Sequence, residues 1–182
     1  MEHFTHDTYI VLDVPQEISD KVMSIRSRFK DQFYMALPAE VTVAGSSGVG
    51  VLKSSQNSSN VYSRLDEIAA KTKAIKASFG EVQRFPYTNI FFFSLQNENP
   101  FRKLHEEIVQ SNIRFLENSF PYKPHCTLCN RSSITEEEVD ALYSIEVKEE
   151  FTFKTMSVYA LESTGDHVIV HLLHRATLSG NE

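Results

Sequence analysis

His125 and Thr127 stand two residues apart in the stretch Tyr122-Lys123-Pro124-His125-Cys126-Thr127-Leu128-Cys129-Asn130. In an extended strand alternate side chains point the same way, so His125, Thr127 and Cys129 share one face and Cys126 and Leu128 take the other. Pro124 opens the strand, where a missing N–H is tolerated. The first face offers an imidazole and, ~6–7 Å further along, a hydroxyl. Such a pair can hold an anion and move a proton at it. Taken alone, the same pattern also describes a buried His and Thr that satisfy each other inside a sheet.

An imperfect second copy shifts the balance. Pro38-Ala39-Glu40-Val41-Thr42-Val43 puts Glu40 and Thr42 on one strand face, and the two threonines lie 85 residues apart. Each copy closes a similar unit. An apolar run (Tyr9 to Val14; Ile90 to Leu95) leads to a proline (Pro15; Pro100), then to a helical stretch and the motif. Pro15 to Glu40 and Pro100 to His125 are both 25 residues. Equal spacing of several features points to an internal duplication, with two strands facing one cleft.

The paired motifs resemble those of the 2H phosphoesterases, the RNA 2′,5′-ligase-like and cyclic nucleotide phosphodiesterase proteins. These carry two H-x-[ST]-h motifs in two similar lobes. The resemblance runs from about Tyr9 to about Leu173. His125-Cys126-Thr127-Leu128 matches the second motif fully, whereas Glu40-Val41-Thr42-Val43 has glutamate in place of the first histidine. The resemblance implies an α+β fold: two lobes of antiparallel sheet backed by helices, related by a pseudo-twofold, with a central cleft. It also implies metal-independent opening of a cyclic phosphodiester, or cleavage of a 2′,5′-type linkage. Thr42 and Thr127 would hold the phosphate and His125 would be acid or base, with no cofactor and no metal. Lys123 and Arg131 would neutralise charge beside the phosphate, and Tyr122 would stack on a base. Each of these three also reads as plain surface or core.

Glu40 leaves three readings open. Burial raises its pKa until it is a working base; or turnover is lost and the chain is a non-hydrolytic nucleotide- or RNA-end-binding protein; or the ligand brings a donor or cation to this position. An ordinary glutamate, ionised near neutrality, would repel a phosphodiester. On that footing Glu40→His should speed the reaction.

The elements that must position these residues follow from length and pattern. The 182 residues suit a single domain, 1–182, with ordinary composition: 41% hydrophobic and 23% charged. The 18 basic and 24 acidic residues give a formal charge of −6, which disfavours duplex DNA. A nucleic-acid partner must then be small, or meet a local basic patch. No apolar run approaches a membrane span, and the N-terminus lacks a basic leader region, so a cytoplasmic monomer is expected. The two cysteines, Cys126 and Cys129, read as reduced strand thiols rather than a metal or redox pair.

Tyr9–Val14 reads as a central strand. A helix opened by Pro15 buries Ile18, Val22, Ile25 and Phe29 and turns Lys21, Arg26 and Arg28 to solvent. Gly45–Gly50 reads as a flexible loop at the cleft mouth, and 53–60 continue it. Asn60 is the expected cap of a helix to about Phe79, ended by Gly80, with Lys71, Lys73 and Lys76 on its solvated face. Glu81–Phe85 and Thr88–Leu95 are strands, with Phe91–Phe93 as core rather than a base-stacking platform. Asn99-Pro100 starts the next helix, where His105 faces solvent. Thr135 and Glu138 form a capping box. Phe151–Leu161 and Val168–His174 are the last strands, joined by a loop over 162–166. His171 and His174 read as structural, and 176–182 as a frayed tail.

Overall fold

The computed structural model describes residues 3–165 and 167–181. Along the chain the elements are β1 (Asp7–Asp13), α1 (Gln16–Arg28), α2 (Gln32–Ala36), β2 (Glu40–Ala44), α3 (Ser58–Lys71), β3 (Ile75–Arg84) and β4 (Ile90–Leu95). Then come α4 (Asn99–Val109), β5 (Cys126–Asn130), α5 (Glu136–Tyr143), β6 (Glu150–Phe153), β7 (Thr155–Thr164) and β8 (His167–Thr177).

The strands form two antiparallel four-stranded sheets, ordered β2-β1-β7-β8 and β5-β4-β3-β6. The expected symmetry sits in the units β1–α1–β2 and β4–α4–β5. In each, the strand before the helix pairs antiparallel with the motif strand after it, and the motif strand takes the sheet edge. The helices cross over: α1 packs against β5 and α4 against β2. Each motif strand is therefore backed by the helix of the other unit.

Local chemistry fixes these elements. Pro15, in extended conformation, precedes α1, which carries Glu17 in its first turn and Arg26 and Arg28 in its last, matching the helix dipole. Thr135 and Glu138 make the expected capping box on α5. Phe91, Phe92 and Phe93 are all buried, because β4 is an inner strand covered on both faces.

Several expectations need correction. Asn57, not Asn60, caps α3; its side chain accepts from the Asn60 N–H at 3.0 Å. The helix stops at Lys71, not near Phe79. Thr72 turns extended, and Ile75 instead pairs with Phe153 across the second sheet. Ile75 follows Ile68 by seven residues, a spacing that helix and buried strand both accommodate. Gly80 lies inside β3 at a bulge, where an added Cβ would come within 2.4 Å of Ser94 Oγ. The run 151–161 divides at Lys154 into β6 of one sheet and β7 of the other.

The tail is not frayed over its described part. Ala176 and Leu178 are buried, and the Ser179 and Gly180 N–H groups donate to the Ala69 and Thr72 carbonyls. Asp166, expected in the β7–β8 loop, lies outside the described residues. The glycine loop is pinned rather than free. Gly48 N–H donates to Phe120 O at 2.7 Å, Gly50 N–H to Leu116 O at 2.8 Å, and Lys53 N–H to Arg114 O at 2.9 Å.

Candidate active site

Glu40, Thr42, His125 and Thr127 line one cleft of about 320 Å³ between the two sheets. The motif strands thus converge as their spacing implies. Tyr9 and Val11 of β1, Tyr34 and Leu37 around α2, Ser46, and Tyr159, Leu161 and Val170 of β7 and β8 are among the residues of its other walls.

His125 Nδ1 lies 2.6 Å from the Lys123 carbonyl oxygen. A carbonyl only accepts, so Nδ1 carries the proton and Nε2 keeps its lone pair for the cleft. Phe85 and Phe92 each meet the ring edge-to-face at 5.1 Å between centroids. Desolvation by this surround pulls the imidazole below its ordinary pKa, against the bond to the Lys123 carbonyl. His125 is therefore uncharged at neutral pH.

Glu40 Oε2 accepts from Thr42 Oγ1 at 3.0 Å. Desolvation raises its carboxyl to about 7, although the Thr42 bond and the Arg26 charge pull it down; Asp13, its cross-strand neighbour, pushes it up. The residue that breaks the histidine pattern thus titrates in a histidine's range.

Arg26 is not on the solvated face. It is 1% exposed, and its guanidinium donates to carbonyl oxygens: Thr127 at 2.9 and 3.1 Å, Tyr34 at 2.9 Å and Leu37 at 2.8 Å. It ties α1 to the second motif strand and sets a positive charge behind the cleft. The signal was present: Arg26 continues the i, i+4 row Ile18, Val22. Asp31 works beside it, capping α2 through the Tyr34 N–H and accepting from the Asn130 N–H at the end of β5. These bonds aim Tyr34 into the cleft, whose lining it shares with Thr127. Nothing in the sequence marked Tyr34, because α2 is too short to show a period.

His105 is the counterpart grip on the first motif strand, and it is buried rather than solvent-facing. Its Nδ1 meets the Val43 carbonyl at 2.7 Å, and its ring stacks on Tyr122 at 4.0 Å between centroids. Tyr122 is buried as well, and its hydroxyl donates to Thr42 O at 3.2 Å. With one face on His105 and its hydroxyl bound to backbone, Tyr122 offers no platform for a base.

Lys123 and Arg131 do not line the cleft either. The Lys123 ammonium pairs with Glu98, and Arg131 pairs with Glu138 at 2.6 Å. Lys123 serves the site through its backbone carbonyl. The register of β5 against β4 slips by one residue between Phe92–Thr127 and Phe91–Cys129. Alternation breaks there, and Cys129 does not join His125 and Thr127 at the cleft. Both cysteines are buried, which pushes the Cys126 thiol up to about 12 and the Cys129 thiol up to about 11. His171 and His174 bond Glu162 and Asp66, each at 2.7 Å, outside the cleft.

Comparison with known proteins gives a consistent picture. A family model described as 2′-5′ RNA ligase superfamily matches residues 14–169. No curated protein matches the sequence. Among solved structures, TT0787 of Thermus thermophilus is similar, with TM-score 0.74 and 14% identity over 97% of this chain and 100% of that one. E. coli LigT complexed with phosphate gives TM-score 0.64 and 11% identity over 94% of this chain and 96% of that one. LigT complexed with 3′-AMP gives 0.64 and 12% over 96% and 98%. At these identities the likeness establishes the fold.

Proposed function

The chain belongs to the 2′-5′ RNA ligase superfamily, the 2H phosphoesterases, and on that premise we propose that it opens a cyclic phosphodiester, or cleaves a 2′,5′-linkage, on a nucleotide or RNA end. The carrying observation is that a proton-free His125 Nε2 and a Glu40 carboxyl raised to about 7 line one cleft with Thr42 and Thr127. His125 takes a proton from the attacking water as the new P–O bond forms. Protonated Glu40 gives its proton to the ribose oxygen as the old P–O bond breaks. Thr127 and Thr42 donate to the non-bridging oxygens. Among the described residues, no lysine or arginine lines the cleft, which suits a singly charged diester better than a doubly charged monoester. E. coli LigT binds phosphate, 3′-AMP and ATP, which supports a nucleotide-bearing ligand here.

The test is a turnover screen with His125→Ala as the matched blank. Its substrates are 2′,3′-cyclic nucleotides, ADP-ribose cyclic phosphate, 2′,5′-oligonucleotides and RNA ends. Product formed by the wild type and not by the variant supports the reading. One observation favours the rival, a nucleotide-binding protein without turnover: Thr42 gives its hydroxyl to Glu40 rather than leaving it free for phosphate. Saturable nucleotide binding with no product from any substrate would select that rival.

A further inference from the structure

Away from the cleft, three hollows run together along the α3–α4 helix pair. The first shares Arg64, Ser111 and Asn112 with the second, and the second shares Lys71 and Glu107 with the third. Six of the chain's 18 basic residues line this groove: Arg114, Arg64, Lys71, Lys73, Lys76 and Lys103. Among the described residues only two carboxylates, Glu67 and Glu107, share it, so the groove inverts the acidic balance of the chain. Arg64 pairs with Glu67 and Arg114 donates to the Ser55 carbonyl. The four lysines at the deep end, around a hollow of about 350 Å³, form no ion pair among the described residues. Lys71 ends α3, Lys73 and Lys76 flank the start of β3, and Lys103 comes from α4. The early end of α3 is what gathers them. Had the helix run on, they would be spread around a solvated face.

We propose that this groove binds the phosphate backbone of single-stranded nucleic acid, independently of the chemistry in the cleft. Lysine and arginine, together with the side chains of Asn57, Asn60, Asn112 and Ser111 that also line it, are the donor types that grip phosphate. The basic residues follow one continuous groove on a chain of formal charge −6, so a single flexible strand can track them where a rigid duplex would also meet the acidic surface. Among the described residues no aromatic side chain lines the groove, so a protein partner would lack the anchors that supply most interface energy.

The test is fluorescence anisotropy of a short labelled oligothymidylate, which has no 2′-oxygen and so no scissile bond for the cleft. Neutralisation by four lysines gives a slope of log affinity against log salt of about −2.8 for a single strand, or about fifty-fold between ~50 and 200 mM salt. The combined variant Lys71→Gln, Lys73→Gln, Lys76→Gln, Lys103→Gln should lose that slope and at least about tenfold in affinity. His125→Ala should bind as the wild type does. Unchanged binding by the quadruple variant would overturn the assignment. So would loss of binding in His125→Ala alone, or equal displacement of the oligonucleotide by polyglutamate.

Discussion

Glu40→Gln isolates the role of the residue that departs from the family pattern. A glutamate at the ordinary value of 4.5 would be only about 0.3% protonated at pH 7, whereas one at about 7 is half protonated. Desolvation therefore raises the supply of the acid form by roughly 150-fold. Glutamine keeps the shape but has no proton to give, so kcat/KM should fall by about 10²–10⁴-fold, or ~2.7–5.4 kcal/mol of barrier. The wild-type profile should be a narrow bell. Activity falls as pH drops through the His125 value, below 6.5, because the base becomes charged. It falls again as pH rises through about 7, by about tenfold from pH 6 to pH 8, because Glu40 loses its proton. The assay is kcat/KM on one 2′,3′-cyclic nucleotide from pH 5 to 9 for wild type, Glu40→Gln and Glu40→His. Glutamine should remove the alkaline limb. The expectation that histidine accelerates the reaction loses its basis, because the carboxyl already titrates near neutrality; Glu40→His should stay within about tenfold of wild type. A glutamine variant as fast as wild type, or one that keeps the alkaline limb, would refute Glu40 as the acid.

Three further outcomes follow from the supports. Arg26→Met strips partners from the carbonyls of Thr127, Tyr34 and Leu37, and should cost at least ~3 kcal/mol by urea unfolding; a loss under ~1 kcal/mol would contradict that role. His105 is buried and its pKa lies below 6.5, chiefly through desolvation. Above that value it is neutral folded or unfolded, so the penalty appears only as pH falls. Unfolding free energy should then drop by up to ~1.4 kcal/mol per pH unit below 6.5, and His105→Gln should flatten the slope. Gly48 has φ of +73° and an added Cβ would meet His105 Nε2 at 2.5 Å. Gly48→Ala should therefore cost ~1–3 kcal/mol, read as a lower Tm.

What the sequence revealed was periodicity and spacing. The two motif strands, the units that lead to them and their meeting in one cleft were legible because equal separations and strand alternation are properties of the chain itself. What it concealed was which face of each helix meets another element. His105 among charged neighbours gave no sign that α4 crosses to the opposite motif strand. The charge of Arg26 points to solvent, although its position in the row with Ile18 and Val22 marks it for burial. Lys123 and Arg131 lie next to the motif in sequence, but Glu98 and Glu138 hold them elsewhere. Alternation along β5 holds only as far as the bulge, which depends on its pairing with β4. The raised carboxyl of Glu40 depends on surroundings drawn from several strands, so no reading of residues 38–43 alone chooses among its roles.

The most direct measurement is a crystal structure with a tetrahedral or transition-state-like anion, phosphate or vanadate with a nucleoside, soaked near pH 6.5. The anion should lie in the cleft, with one oxygen within hydrogen-bond reach of His125 Nε2, another of Thr127 Oγ1, and the Glu40 carboxyl turned from Thr42 to the ribose oxygen. An anion bound away from His125 and Thr127, with Glu40 still held by Thr42, would contradict it.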